Sequence, residues 1–236
     1  MTGKQKQESE KGTRKDQMLD ELFSRYRELA QSADALFHTI QEKYPLSVKC
    51  RVHCCDCCYA IFGVFPVEAA YVAYHFSRLD RRIRRNVIRH AEKSEVEMLK
   101  AHDQLEQVFE DNQKMKAFGL GKQRVRCPLL KEQKECILYE HRPIICRVYG
   151  VPFSLKSDGK KSRSYVCGLS AFESKVSYPA VKLDNIYERL VLLSQEMLSE
   201  TAKGKKTQPA KANLMLSLSK VLRMSVNDII EGNLGE

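Results

Sequence analysis

The sequence predicts a mainly α protein, a helical bundle around an irregular cysteine-rich metal-binding core. Three observations lead there. Apolar residues recur at alternating steps of three and four over long stretches towards both ends of the chain. Between Gly119 and Ala171 that period is lost, and Pro, Gly and Cys punctuate short apolar pieces. Five cysteines, Cys50, Cys54, Cys55, Cys57 and Cys58, fall inside nine residues, and four more follow at Cys127, Cys136, Cys146 and Cys167.

Residues 1–17 are rich in Lys, Glu and Gln and hold no apolar run of the kind a secretory signal needs, so they read as a disordered tail. From Leu19, the positions Leu22, Tyr26, Leu29, Ala33, Leu36 and Ile40 form the seam of a long amphipathic helix that stops near Pro45. Phe65-Pro66-Val67-Glu68 reads as a helix start, with Pro at the first helical position and an acid in the first turn. Ala69 to Leu79 continues it as a short apolar helix whose Tyr71, Tyr74 and Phe76 belong in the core. A second seam runs through Val87, Ala91, Ser94, Met98, Ala101, Leu105, Val108, Asn112 and Met115 and ends at Gly119 and Gly121. Both seams are narrow, which predicts that the two long helices pack on each other. Leu183, Ile186, Leu190, Leu193 and Met197 mark another helix. The Lys-rich residues 201–211 read as a linker and residues 212–236 as a helical cap, broken at Ser225, which can cap a last turn through Ile230. Residues 18–200 thus form one helical domain that contains the cysteine-cluster region, residues 46–170.

Nine cysteines allow three explanations: a disulfide framework, metal ligands, or inert buried thiols. Disulfide scaffolds belong to short secreted chains, whereas 236 residues with 43% hydrophobic content can bury a core without staples. No stretch reaches about 18 consecutive apolar residues, so no membrane span is expected. The expected setting is reducing cytoplasm, where clustered cysteines ligate metal more often than they pair.

The run from Cys50 to Cys58, followed by Cys127, by Cys136-Ile-Leu-Tyr-Glu-His-Arg-Pro-Ile-Ile-Cys146-Arg147 and by Cys167, resembles the bacterial cysteine-cluster proteins often called the YkgJ family. That family is described as a zinc- or iron-chelating domain with an opening motif C-x-x-C-x-x-C-C and a later C-x-x-Y-x-x-R-P-x-x-C-R. The later motif matches at Cys136, Tyr139, Arg142, Pro143, Cys146 and Arg147. The opening motif departs from the pattern, because three residues separate Cys50 from Cys54 and Cys55 is an extra thiol. The resemblance implies a ligand set of Cys50, Cys54, Cys57, Cys58, Cys127, Cys136, Cys146 and Cys167. The flagellin lysine methylases look similar in their cysteine cluster, which implies an iron–sulfur-dependent protein methylase as an alternative.

Thiolate is the soft donor that zinc and iron–sulfur clusters prefer, and either centre takes four ligands. Eight thiols therefore suffice for two centres, or for one centre with thiols to spare. Adjacent side chains point to different sides of an extended backbone, so Cys57 and Cys58 reach one ion only through a local bend. Lys49, Arg51, Arg126 and Arg147 flank cysteines and would favour their thiolates. Arg142 and Arg147 are expected to support the ligands from behind, and Tyr139 to pack there with its hydroxyl bonded nearby. His53 and His141 lie beside the motifs but are expected to be structural or solvated, since eight thiols already meet the demand. The chain carries a formal charge of +10, and Arg78, Arg81, Arg82, Arg84, Arg85 and Arg89 crowd one stretch, a candidate contact for nucleic acid or an acidic protein partner. No Gly-rich nucleotide loop, carboxylate pair or Ser/His/Asp set stands out, so a non-catalytic metal-binding protein is the leading expectation.

Overall fold

A helix with almost no polar face belongs in the middle of a fold, and Pro66–Ser77 is such a helix. In the computed structural model, which describes residues 3–106, 123–157, 161–173, 175–201 and 209–235, it is buried from Pro66 through Ala73 and again at Phe76. Among the described residues there are eight helices: α1 (Gly3–Lys43), α2 (Pro66–Ser77), α3 (Arg81–Glu106), α4 (Ile144–Val148), α5 (Leu183–Thr201), α6 (Pro209–Ala212), α7 (Leu218–Val221) and α8 (Val226–Ile230). Five short strands accompany them: β1 (Gly63–Val64), β2 (Phe153–Ser157), β3 (Lys161–Tyr165), β4 (Val181–Lys182) and β5 (Leu216–Ser217). The protein is mainly α, as the periodicity requires.

α1, α5, α7 and α8 all pack against α2. The α1 seam faces inwards through Leu22, Tyr26, Leu29, Ala33 and Ile40, while Leu36 remains 46% exposed. α5 buries Leu183, Ile186, Leu190, Leu193 and Met197, the five positions its period predicts. At the N-terminus of α2, Glu68 Oε2 accepts from the Phe65 amide (3.4 Å), the half of a capping box that a phenylalanine N-cap, with no side-chain acceptor, allows. Ser225 caps α8 by accepting the Asp228 amide (3.1 Å), while α7 starts at Leu218 under its own cap, Ser217.

The two long helices do not form the expected pair. α1 packs against α2, α4 and α5, and the partner of α3 is α7. The reason lies in the α3 stripe, where Val87, Ala91 and Ser94 are small enough for a four-residue helix and a neighbouring loop to cover. The Ser94 hydroxyl bonds to the Arg126 carbonyl (2.7 Å), which brings α3 beside the second cysteine segment. Val108, Asn112, Met115, Gly119 and Gly121 lie outside the described residues.

The stretch expected to be irregular contains a hairpin. β2 pairs antiparallel with β3 from Phe153↔Tyr165 to Ser157↔Lys161, and parallel with β4 at Phe153↔Val181. Both Asp184 oxygens accept the Lys156 amide (3.1 Å each), tying this sheet to the start of α5. β1 and β5 pair antiparallel, Gly63 opposite Ser217, and a Cβ at Gly63 would stand 2.6 Å from Met215 Cβ.

One corner of the core responds to pH. His75 stacks on His141 with centroids 3.5 Å apart and lies edge-on to Tyr71, while its Nε2 is buried without a hydrogen-bond partner. Burial, then His141, Arg78 and Arg27, push the His75 pKa down to about 4. Because the folded value lies below the ordinary one, this neutral imidazole stabilises the fold fully above about pH 6.5, and that contribution is lost as pH falls towards 4. After discounting for its partial exposure, the loss is about 1–2 kcal/mol. Urea unfolding of His75→Phe is expected to show a shallower stability decline between pH 6.5 and 4.5 than the parent protein; equal slopes would contradict this.

Candidate metal centre

Two segments about seventy residues apart in sequence are joined by backbone hydrogen bonds. The Cys127 amide donates to the Cys58 carbonyl (2.7 Å), the Val125 amide donates to the Tyr59 carbonyl (3.1 Å), and Ala60 bridges to Arg124. Cys57 and Cys58 ride on a single 3-10 turn, Asp56–Tyr59, and Cys54 closes a tight turn by donating its amide to the Arg51 carbonyl (2.9 Å). Cys127 and Cys136 face each other across a narrow loop held by Leu130 N to Cys127 O (3.1 Å) and Ile137 N to Leu129 O (2.8 Å). Cys146 sits in α4, and Cys167 follows β3.

All nine cysteines are free thiols. The mutual influence of their sulfurs separates them into two neighbourhoods. Burial pushes Cys127 up to about 12 and Cys146 well above the ordinary thiol value, and each is raised further by Cys57 and Cys136. Cys136 is raised by burial and by Cys57, and Cys58 is raised by a hydrogen bond to Cys57, by burial, and by Cys127 and Cys146. The other neighbourhood holds Cys50, pushed up to about 12 by burial and then by Cys54, Cys167 and Cys57. Cys57 lies between the two and moves the other way, lowered chiefly by its hydrogen bond with Cys58 and helped by Arg142. Cys50, Cys54 and Cys55, with Lys49, Arg51 and Lys134, line an open surface cavity of about 810 Å³.

The arginines act through intermediaries. Asp34 of α1 accepts from Arg147 (2.5 Å) and Arg142 (3.4 Å), and Arg147 also donates to the carbonyls of Glu140 (2.7 Å) and Arg142 (3.1 Å). This cage fixes the loop between Cys136 and Cys146 and leaves the Arg142 charge close enough to help lower Cys57 and to oppose, without cancelling, the rise that burial imposes on Cys136 and Cys146. Tyr139 is not packed inside: it is 57% exposed, and its ring contact is the Arg142 guanidinium, 4.1 Å from the centroid. His141 accepts or donates to Tyr71 Oη (3.1 Å) in the α2 corner, and His53 turns to the Gln133 carbonyl (3.0 Å). His53 has φ +67°, and both histidines have structural partners, as expected.

Sequence reasoning missed four residues here. Asp56 accepts from Arg124 (2.5 Å) and from the Cys167 thiol (3.2 Å), linking the first and last cysteine segments. Asp34 and Glu68 carried only the sequence signals of a helix-surface acid and a capping acid. Gly150 is the fourth. A Cβ there would overlap Cys50 Sγ and touch the Phe37 ring at 3.3 Å, so the chain can pass Cys50 only without a side chain. Gly150→Ala is expected to cost about 1–3 kcal/mol by overpacking. The same change in a Cys50→Ala background should cost under about 0.5 kcal/mol, and a double-mutant cycle in urea with no coupling would refute the contact.

Among the described residues, no group of three or more His, Cys, Asp or Glu side chains is already disposed as a metal cage. The donor set nevertheless fits a thiophilic metal. The buried thiols remain protonated in isolation, and cation binding is the change that releases those protons and satisfies sulfurs the apolar surroundings do not. A family model described as "putative zinc- or iron-chelating domain", with the signature CxxCxxCC, matches residues 49–168, just over half of the chain. No curated protein and no solved structure matches it.

Proposed function

The chain belongs to the CxxCxxCC family of zinc- or iron-chelating domains, and on that premise we propose that its thiols form two four-thiolate centres in a non-catalytic metal-binding protein. The inner centre takes Cys58, Cys127, Cys136 and Cys146; the outer takes Cys50, Cys54, Cys57 and Cys167. The observation that carries this reading is the Cys58–Cys127 backbone hydrogen bond, which holds the two cysteine segments side by side before any ion arrives. Cys57 borders both sets, since it influences Cys50 as well as Cys127, Cys136 and Cys146, and it is given to the outer set because Cys50, Cys54 and Cys167 need a fourth thiol.

Each centre would fold its thiols around one ion or cluster by side-chain rotation, which is inexpensive compared with the bonds formed. Arg142 and Arg147, anchored on Asp34, would offset the negative charge that the inner thiolates acquire. Cys55 has no place in either set and borders the outer cavity. The free state of every cysteine suits a reducing compartment, and no helix among the described residues is long and apolar enough to cross a membrane.

Elemental analysis of protein purified anaerobically and without chelator tests the reading. Two equivalents of zinc in a colourless sample, or iron with sulfide and a broad visible absorption band, would support it and identify the metal. Folded protein carrying neither would overturn it.

A further inference from the structure

The N-terminal half of α3 concentrates positive charge that the fold itself does not use. Arg78 to Arg89 contains six arginines and one acid, Asp80. Arg81, Arg82, Arg85 and Arg89 line a surface cavity of about 600 Å³ together with Asp80 and Ile88. Arg81, Arg82 and Arg85 make no side-chain hydrogen bond or ion pair among the described residues, and Arg89 reaches only Asn86 (3.2 Å). Two neighbours are already committed: Arg78 lies 3.3 Å over the Tyr74 ring and Arg84 bonds to the Leu79 carbonyl (3.1 Å).

This arrangement is unfavourable for the helix taken alone. Arginines at i and i+4 repel one another, and they stand at the positive end of the helix dipole. Asp80 answers part of that with its Oδ1, which accepts the Arg82 amide (2.7 Å) and the Ile83 amide (3.4 Å); its Oδ2 has no donor among the described residues. An external polyanion removes the repulsion. The exposed apolar surface here is limited to Ile83, with Ile88 half-buried in the cavity, which is too little for the apolar centre of a protein interface. The cavity is concave and of ligand size, which suits a splayed single strand better than the outside of a duplex.

We propose that this cavity binds single-stranded RNA, with Arg81, Arg82, Arg85 and Arg89 on successive phosphates, a base against Ile88, and Asp80 Oδ2 accepting a ribose 2′-hydroxyl. The guanidinium forks supply paired donors to phosphate oxygens, and the carboxylate oxygen is an acceptor that a ribose 2′-hydroxyl can meet and a deoxyribose cannot. The site is separate from the cysteines and does not depend on which metal they hold.

Fluorescence anisotropy of a labelled twelve-residue oligouridylate with the full chain provides the test. Binding should weaken with salt at a logarithmic slope of about −2.8, the value for four phosphates on a single strand. Arg81→Glu/Arg85→Glu should weaken binding at least about tenfold and flatten the slope by about 1.4. The same variant should melt no lower than the parent, because acids at a helix start are favourable, so lost binding will not reflect lost folding. Salt-independent binding, or an unchanged affinity in the variant, would overturn the proposal. Equal affinity for oligothymidylate would overturn the RNA assignment, and tighter binding of a polyglutamate peptide would replace it with an acidic protein partner.

Discussion

Replacing Glu68 with Ala is expected to destabilise the fold by about 3–5 kcal/mol, the largest effect of any single substitution away from the cysteines. Glu68 is 3% exposed, and three donors from three parts of the chain converge on it. Oε1 accepts from the Ile144 amide (3.0 Å) and the Tyr26 hydroxyl (3.2 Å), and Oε2 accepts from the Phe65 amide (3.4 Å). Burial raises its pKa, while those three hydrogen bonds and the Arg147 charge pull it back. Truncation therefore leaves the Phe65 amide just before α2, the first amide of α4 and a buried phenol without an acceptor, in addition to a cavity. Glu68→Gln keeps one acceptor oxygen but turns an NH₂ towards a donor, so a smaller loss of about 1–2 kcal/mol is expected. Guanidinium unfolding measures both. A loss under about 1 kcal/mol for Glu68→Ala would show that the hydrogen bonds are not those described.

Cys146→Ser is expected to abolish the inner centre, halving the bound metal and loosening residues 127–146, whereas Cys55→Ser should leave metal content unchanged. Cys146 sits on α4, whose first amide is held by Glu68 and whose Arg147 is held by Asp34, so its sulfur is placed by the fold rather than by the ion. Loss of that ligand cannot be repaired by a neighbour without breaking the cage. Cys55 precedes the Asp56–Tyr59 turn and faces the outer cavity instead. Metal stoichiometry by mass spectrometry, with limited proteolysis as the readout of the loop, distinguishes the two. Equal damage from both substitutions would place Cys55 in the ligand set and overturn the reading of the opening motif.

Much of the helical part was legible because burial and period coincide. All five predicted inward positions of α5 are buried, and the Pro66–Glu68 start of α2 is where the helix begins. The β2–β3 hairpin, unlike these helices, was not anticipated, and its trace in the sequence is Asp158-Gly159, a turn-favouring pair between two short segments. The partners of α1 and α3 were not readable, because a narrow apolar seam states that something covers it and not what. Tyr139 failed for a related reason: a motif position carries no information on exposure, and here an arginine face replaced a packed interior.

The order and chemistry of the thiols, the helical content and the starts of α2 and of the last helix after Ser225 were determined by the sequence alone, because they rest on residue type, period and local backbone preference. Which thiols become neighbours was decided only in three dimensions. So were the pairing of Asp34 with Arg142 and Arg147, the third hydrogen bond of Glu68, the contact of Asp56 with Cys167 and the need for glycine at position 150. These are contacts between segments far apart in the chain, and their geometry is set by how α1, α2 and α4 pack on one another, information that no local pattern of residues contains.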